Sequence, residues 1–292
     1  MDGQIFLQCQ VQQAIYALQT AQCINTKKLY TFEGVFLATC KLTGKQGKFV
    51  KSHIIPKALT RPSEPGNKFI QPAPNARDRR YIKRSDSWYD QTIVIREGED
   101  YLSDLDDHAI EELRSLGLLW SSKTLRKAAT PSVNELTVVE FSCPNKIRRY
   151  FLSLLWRAAV SSLPEFNEVY LPEDKIEKLR KIITGEMADD LSFFPVALIQ
   201  LVGKGPAHNF IPIRQKIGND EKEVYRFYMN GLIAHIHLSD PKLAVVMNPI
   251  PYDHPMFVGH EQTIICQVDT MESWQLNNLS KHAREYELHQ SK

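Results

Sequence analysis

Cysteine is scarce and poorly placed for metal or disulfide chemistry: the five, Cys9, Cys23, Cys40, Cys143 and Cys266, are odd in number, irregularly spaced, and never form a CxxC or CxxxC pair. That excludes a disulfide framework and a directly readable zinc site, and fits reduced, mostly buried thiols. Long apolar runs are missing too; none approaches the ~18 residues of a membrane span. The opening MDGQIFLQCQ carries an acid early and no basic region ahead of an apolar stretch, so the chain reads as cytoplasmic, with no membrane partner. An excess of one charge is also absent. With 36 Lys and Arg against 34 Asp and Glu, any site for a polyanion must be local. Gly and Pro, at 13 and 16 of 292 residues, are too few for a low-complexity chain, and the length predicts one large or two modest domains.

What is present is charge sorted by position. Between Lys57 and Arg84 stand eight bases, Lys57, Arg61, Lys68, Arg77, Arg79, Arg80, Lys83 and Arg84, against two acids, Glu64 and Asp78. Between Glu97 and Glu112 stand eight acids and no Lys or Arg. The basic stretch holds Pro62, Pro65, Pro72 and Pro74, with Pro56 just before it, so little regular structure is expected from about Ala58 to Ser87. Its bases alternate with Phe69, Tyr81, Trp88 and Tyr89, a mixture that offers phosphate contacts and faces for stacking bases. Lys57, Arg61, Arg77, Arg79, Arg80, Lys83 and Arg84 are the candidate nucleic-acid contacts. The competing reading is a surface segment docked on the acidic helix.

Upstream, Leu42–Val50 predicts a tight turn between two short extended pieces, with Cys40 on the first and His53 closing the second. Thr92–Ile95 predicts a short strand. After Gly98, the spacing Leu102, Leu105, Ala109, Leu113, Leu116 predicts one apolar helix face. In the second half, Pro144 predicts a helix start, with Ile147, Phe151, Leu154, Leu155 and Ala158 as its buried stripe. Lys146, Arg148, Arg149 and Arg157 would line its polar side and offer a second nucleic-acid contact. A charged helix from Pro172 to about Ile183 follows, then strands at Val196–Val202, at Val224–Leu238 around an Asn230-Gly231 hairpin turn, and at Leu243–Met247. Trp274–Lys292 predicts a helix or a frayed tail.

Cys40-Lys41-Leu42-Thr43-Gly44, then Ser52-His53-Ile54-Ile55-Pro56, then Ile95-Arg96-Glu97-Gly98-Glu99-Asp100 together resemble the HNH, or ββα-metal-finger, endonuclease superfamily. Phe151–Pro164 resembles the helix that follows the finger in bacterial relatives, and the likeness is best over about residues 38–165. The resemblance implies an α+β fold: a finger over 38–125 after an N-terminal segment 1–37, then a helical and β-rich domain over 126–292. It implies a divalent-metal-dependent endonuclease, acting on DNA in preference to RNA, with a role in bacterial antiviral defence and a protein partner supplying recognition or activation. His53 would be the general base, since a neutral imidazole takes a proton from water near neutral pH. Ser52, Glu99, Asp100 and Asp104 would supply hard oxygens for Mg²⁺ or Mn²⁺. Thr43 stands where a knuckle cysteine belongs and Ile95 to Gly98 hold none, so structural zinc is not expected.

Other readings stay open. The missing cysteines and Ser52 also suit a catalytically degenerate module that binds nucleic acid or protein without cutting. His235 and His237 share one strand face and predict a zinc site if a third ligand arrives from elsewhere. Cys40 with His53 is a weaker nucleophile pair.

Overall fold

The computed structural model describes residues 38–60, 69–71, 82–84, 87–124, 136–203, 205, 209–217, 222–238, 254–273, 275–277 and 280, giving the backbone alone for 69–71 and 82–84. Residues 1–37, the strand expected at Leu243–Met247 and most of the 274–292 tail lie outside them. Among the described residues no helix is long and apolar enough to cross a membrane.

The unit from Ala38 to Lys292 is compact and mixes helices with a six-stranded sheet, an α+β architecture. It opens with a hairpin, β1 (Ala38–Thr39) paired antiparallel with β2 (Gln46–Gly47). The turn between them is closed by Gly44 N donating to Cys40 O at 2.9 Å, and Gly44 takes φ +70°. β3 (Ser52–His53) follows, then α1 (Lys57–Thr60), a ribbon of β4 (Phe69–Gln71) and β5 (Ile82–Arg84), and β6 (Tyr89–Asp90). β3 and β6 are antiparallel, Ser52 opposite Asp90 and His53 opposite Tyr89. Next comes α2 (Arg96–Ser115), whose Leu102, Leu105, Ala109 and Leu113 are buried as the spacing predicts.

Within the basic stretch the described regular structure is short, α1 and the β4–β5 ribbon. One expectation needs correction here. Thr92–Ile95 is not a strand. Ile93 and Val94 drop their side chains into the core, and their carbonyls accept from Lys41 N at 2.8 Å and Val50 N at 3.0 Å. Their backbone needs are met by the first hairpin, so no ladder is required.

In the second half, β7 (Leu136–Glu140) leads to α3 (Pro144–Val160), with Pro144 in the first turn, and α4 (Glu173–Thr184), stopped by Gly185 at φ +79°. The sheet runs in the order β7, β12 (Gln262–Asp269), β8 (Val196–Val202), β11 (Leu232–His237), β10 (Lys222–Met229), β9 (Ile213–Ile217). Every neighbouring pair is antiparallel except β8 with β12. The Asn230-Gly231 turn takes φ +49° and +87°, as a two-residue hairpin with right-handed strands requires.

α3 is the centre of the core. Ile147, Tyr150, Phe151, Leu154, Leu155 and Trp156 are fully buried, between α2 and α4 and against the sheet. One apolar cluster runs from Cys40 to Ile265, crossing residue 125, where a domain boundary is expected from the sequence. Arg148 and Arg157 are not on a polar outer side. Both are buried, Arg148 with Asp189 at 2.7 Å and Arg157 with Asp106, and Lys146 pairs with Asp104, so of the four bases expected to line a second nucleic-acid contact only the half-buried Arg149 has no carboxylate partner among the described residues.

Candidate functional site

The residues around His53 converge because three elements end on one spot. In β3 the side chains alternate, so Ser52 points inward, fully buried, and His53 is left half-buried on the other side. The His53 ring meets Tyr89 edge-on at 6.1 Å, and Lys51 Nζ stands 3.9 Å from the centre of the same Tyr89 ring. Ile54 N donates to Trp88 O at 3.0 Å, extending the β3–β6 pairing, and Ile54 and Ile55 anchor the strand in the core.

Glu99 lies in the first turn of α2, next to Ser52. Burial raises its pKa above the ordinary carboxylate value, against the opposing pull of the Ser52 hydroxyl and of the Arg157 and Arg96 cations. Ser52 Oγ and Glu99 Oε2 are both shielded from solvent and neither meets a partner in good hydrogen-bond geometry. The Ser52 hydroxyl bears on the Glu99 carboxylate and, among the described residues, no third group meets either oxygen, so the pair is one that a shared water or cation would complete. Two turns along α2, Asp106 receives a bidentate pair of hydrogen bonds from Arg157 of α3, one at 2.9 Å to Oδ2 and a closer one to Oδ1. Burial disfavours the charge on Arg157, but the Asp106 carboxylate outweighs it and raises the guanidinium pKa. Arg157 also donates to Ser153 Oγ at 2.9 Å and to the main-chain oxygen of His53 at 3.0 Å. A buried ion pair therefore grips the backbone of the candidate base.

Of the four sequence-predicted metal ligands, Ser52 and Glu99 are brought together and Asp100 and Asp104 are not. An α-helix turns about 100° per residue, so Asp100 lies about 100° and Asp104 about 140° around α2 from Glu99, while Asp106 lies only about 20° away. Asp100 accordingly sits with Arg96 at 3.7 Å on an open groove edged by Gly47, Lys48 and Val50, and Asp104 pairs with Lys146 at 2.7 Å. Asp106 is the residue that sequence reasoning missed, and Arg157 is the one it assigned to an outer polar side when it is buried here. The seven-residue step from Glu99 to Asp106 was one signal; an arginine inside the apolar run Leu154 to Ala158 was the other, since a charge there demands a partner.

The remaining candidates fall elsewhere. Lys57 is half-buried in α1, and Lys83 and Arg84 lie on β5. Arg61, Arg77, Arg79 and Arg80 lie outside the described residues. Cys40 is buried, accepts from Thr43 N at 3.4 Å, and lies against Gly98, where an added Cβ would come 2.9 Å from its sulfur. His235 faces Arg226 across the β10–β11 ladder, and the His237 ring packs edge-on against Phe257 at 5.4 Å. Burial and neighbouring cations push these imidazoles down, His235 to about 3 and His237 to about 4. Among the described residues no three His, Cys, Asp or Glu converge as a metal cage, at the histidine pair or elsewhere. No family model matches the chain, and no curated protein or solved structure matches it either.

Proposed function

We propose that the chain is an HNH-like, divalent-metal-dependent endonuclease that hydrolyses phosphodiester bonds, in DNA in preference to RNA. The observation that carries this reading is the juxtaposition of His53 and Ser52 on the first of two antiparallel strands with Glu99 in the first turn of the helix that follows them. The resemblance implies a hairpin that His53 closes and then the helix; here the first hairpin ends at Gly47 and His53 pairs instead with Tyr89, just ahead of the helix that carries Glu99. The shielded Ser52 Oγ and Glu99 Oε2, adjacent to each other and met by no third group among the described residues, fit a hard cation, which takes neutral and anionic oxygens alike. These two residues would hold Mg²⁺ or Mn²⁺, and the ion when bound would stabilise the charge that develops on the phosphate oxygens.

The chain's own residues do the rest. His53 removes a proton from water, and the oxygen so activated attacks phosphorus as the bond to the leaving oxygen breaks. Arg157, braced by Asp106, fixes the His53 backbone so that the imidazole meets its water in one geometry. Lys83 and Arg84, on a ribbon that projects two-stranded pairing into the basic stretch, are suited to backbone phosphates. A role in antiviral defence, beside a partner that supplies recognition, belongs to the same proposal. The second reading, a module that binds without cutting, draws on the ion pairs that engage Asp100 and Asp104 and leave Glu99 as the one of the three expected carboxylate ligands beside Ser52.

Plasmid and single-strand cleavage with Mg²⁺ or Mn²⁺ separates the two. The wild type is expected to cut, His53→Ala to lose about 10²–10⁴-fold in rate, and Glu99→Gln to need more metal for half-maximal rate. Equal cutting by His53→Ala sinks the assignment of the base. Salt-sensitive binding with no cutting by the wild type, unchanged in His53→Ala, establishes the binding module instead.

A further inference from the structure

Arg226 and His235 are directly opposite one another on β10 and β11, so their side chains rise from the same face of the sheet. They are 6% and 8% exposed. Three arginines on the described elements are buried this deeply, and two of them carry a carboxylate: Arg148 has Asp189 and Arg157 has Asp106. Arg226 has none. Its pKa is pushed down to about 10 by burial with no carboxylate to offset it, which still leaves the group cationic at neutral pH. One hydrogen bond is made from Nη2 to the neutral amide oxygen Oε1 of Gln275 at 3.0 Å, and the adjacent Nε is shielded and unpartnered.

The orphaned atoms are not scattered. His235 Nε2 is shielded and unpartnered beside the guanidinium, and so is Gln215 Oε1, one step along the ladder where Gln215 pairs with Val224. Nε and Nη2 form one edge of the guanidinium fork, which matches the two oxygens of a carboxylate or a phosphate. On that edge Nη2 donates to a neutral oxygen, and Nε has no partner among the described residues. Burial and the Arg226 cation keep His235 neutral at physiological pH, so it carries a single ring proton, and with that proton on the shielded Nε2 it is a donor on the same face of the sheet as the guanidinium.

We infer that this face of the sheet is a binding site for a small oxyanion, gripped side-on by the Nε and Nη2 edge of Arg226 in place of Gln275, with His235 Nε2–H as the second donor. The shared chemistry is that of carboxylate and phosphate groups. Gln215 Oε1 adds an acceptor, for which a hydrogen phosphate has a hydroxyl and a carboxylate has none. The site is separate from Ser52, His53 and Glu99 and does not depend on the nuclease reading.

Thermal unfolding of the full chain, with inorganic phosphate or acetate titrated against sodium chloride at matched ionic strength, tests it. A saturable rise in Tm is expected, roughly 5 °C at a hundredfold excess over Kd. Arg226→Met is expected to abolish the rise, and His53→Ala to keep it. If Arg226→Met does not fold, Arg226→Lys keeps the charge but loses the planar fork, and is expected to weaken the apparent Kd about tenfold. A rise with phosphate alone identifies a phosphate site, and one with acetate alone a carboxylate site. No saturable rise with either anion, or the same rise in the Arg226 variants, overturns the proposal.

Discussion

Asp90 shows how much one side chain can organise in this protein. Its carboxylate accepts from Thr92 N and Oγ1, Ser161 Oγ, and Ser162 N and Oγ, at 2.7 to 3.1 Å. It thereby ties β6, the partner strand of Ser52 and His53, to the end of α3. Burial alone would raise its pKa, but these donors prevail and hold it below the ordinary aspartate value. The native state therefore binds that proton less readily than the unfolded chain does. Asp90 contributes stability at pH values above the unfolded-state value of about 3.9, and the contribution is lost as pH falls through its lower native pKa. Urea denaturation from pH 7 down to pH 2 is expected to show a stability difference between wild type and Asp90→Asn that shrinks with acidification. A constant difference would assign Asp90 a purely steric role. None of this was legible in the sequence, because Ser161 and Ser162 reach Asp90 from more than seventy residues away along the chain. His53 and Ser52 were legible through their local motif.

Elements were legible where the chain carries its own boundary signals. Pro144 and Pro172 mark helix starts and Asn230-Gly231 marks a hairpin; each of these stands where the sequence puts it. β7, β9 and β12 were missed, since Leu136–Glu140 and Ile213–Ile217 have little apolar alternation and gain strand geometry from partners distant in sequence. At Gly231 the local signal and tertiary packing coincide. Its φ of +87° disfavours any side chain, and an added Cβ would come 2.3 Å from the Trp120 indole. Trp120 cannot yield easily, because its Nε1 donates to Leu201 O at 2.9 Å and its main-chain N to Asn230 O at 2.8 Å. Gly231→Ala is expected to destabilise the protein by about 2–4 kcal/mol and to shift the tryptophan emission. An unchanged denaturation midpoint would mean that the loop bearing Trp120 is free to move.

At the scale of the whole molecule, the helices of the second half complete the first. Arg157 links α3 to α2 through Asp106 and to β3 through the His53 carbonyl, inside a core that extends from the first hairpin to the last strand. Breaking a buried ion pair from one side leaves an uncompensated charge, typically costing about 3–5 kcal/mol. Arg157→Met is expected to lose that much in urea unfolding, with far-UV circular dichroism and tryptophan fluorescence reporting one shared transition. Two separated transitions would assign the halves separate stabilities. The sequence's division near residue 125 arose from a change of pattern, from charged loop and helix to apolar helix and strand, and pattern alone does not reveal which faces are shared.

The strand order carries a consequence for how the protein is made. β12, the last strand of the sheet in the chain, lies between β7 and β8 and is the only described partner of β7. During translation β7 leaves the ribosome well over a hundred residues ahead of its neighbour, which at about 5–20 residues per second is a wait of some ten seconds. For that interval a strand bearing Val138 and Val139 has an unsatisfied edge, open to other nascent chains. Completion of the sheet therefore waits until residue 269 has emerged, and a chaperone that shields the β7 edge over that interval is expected to raise the folded yield.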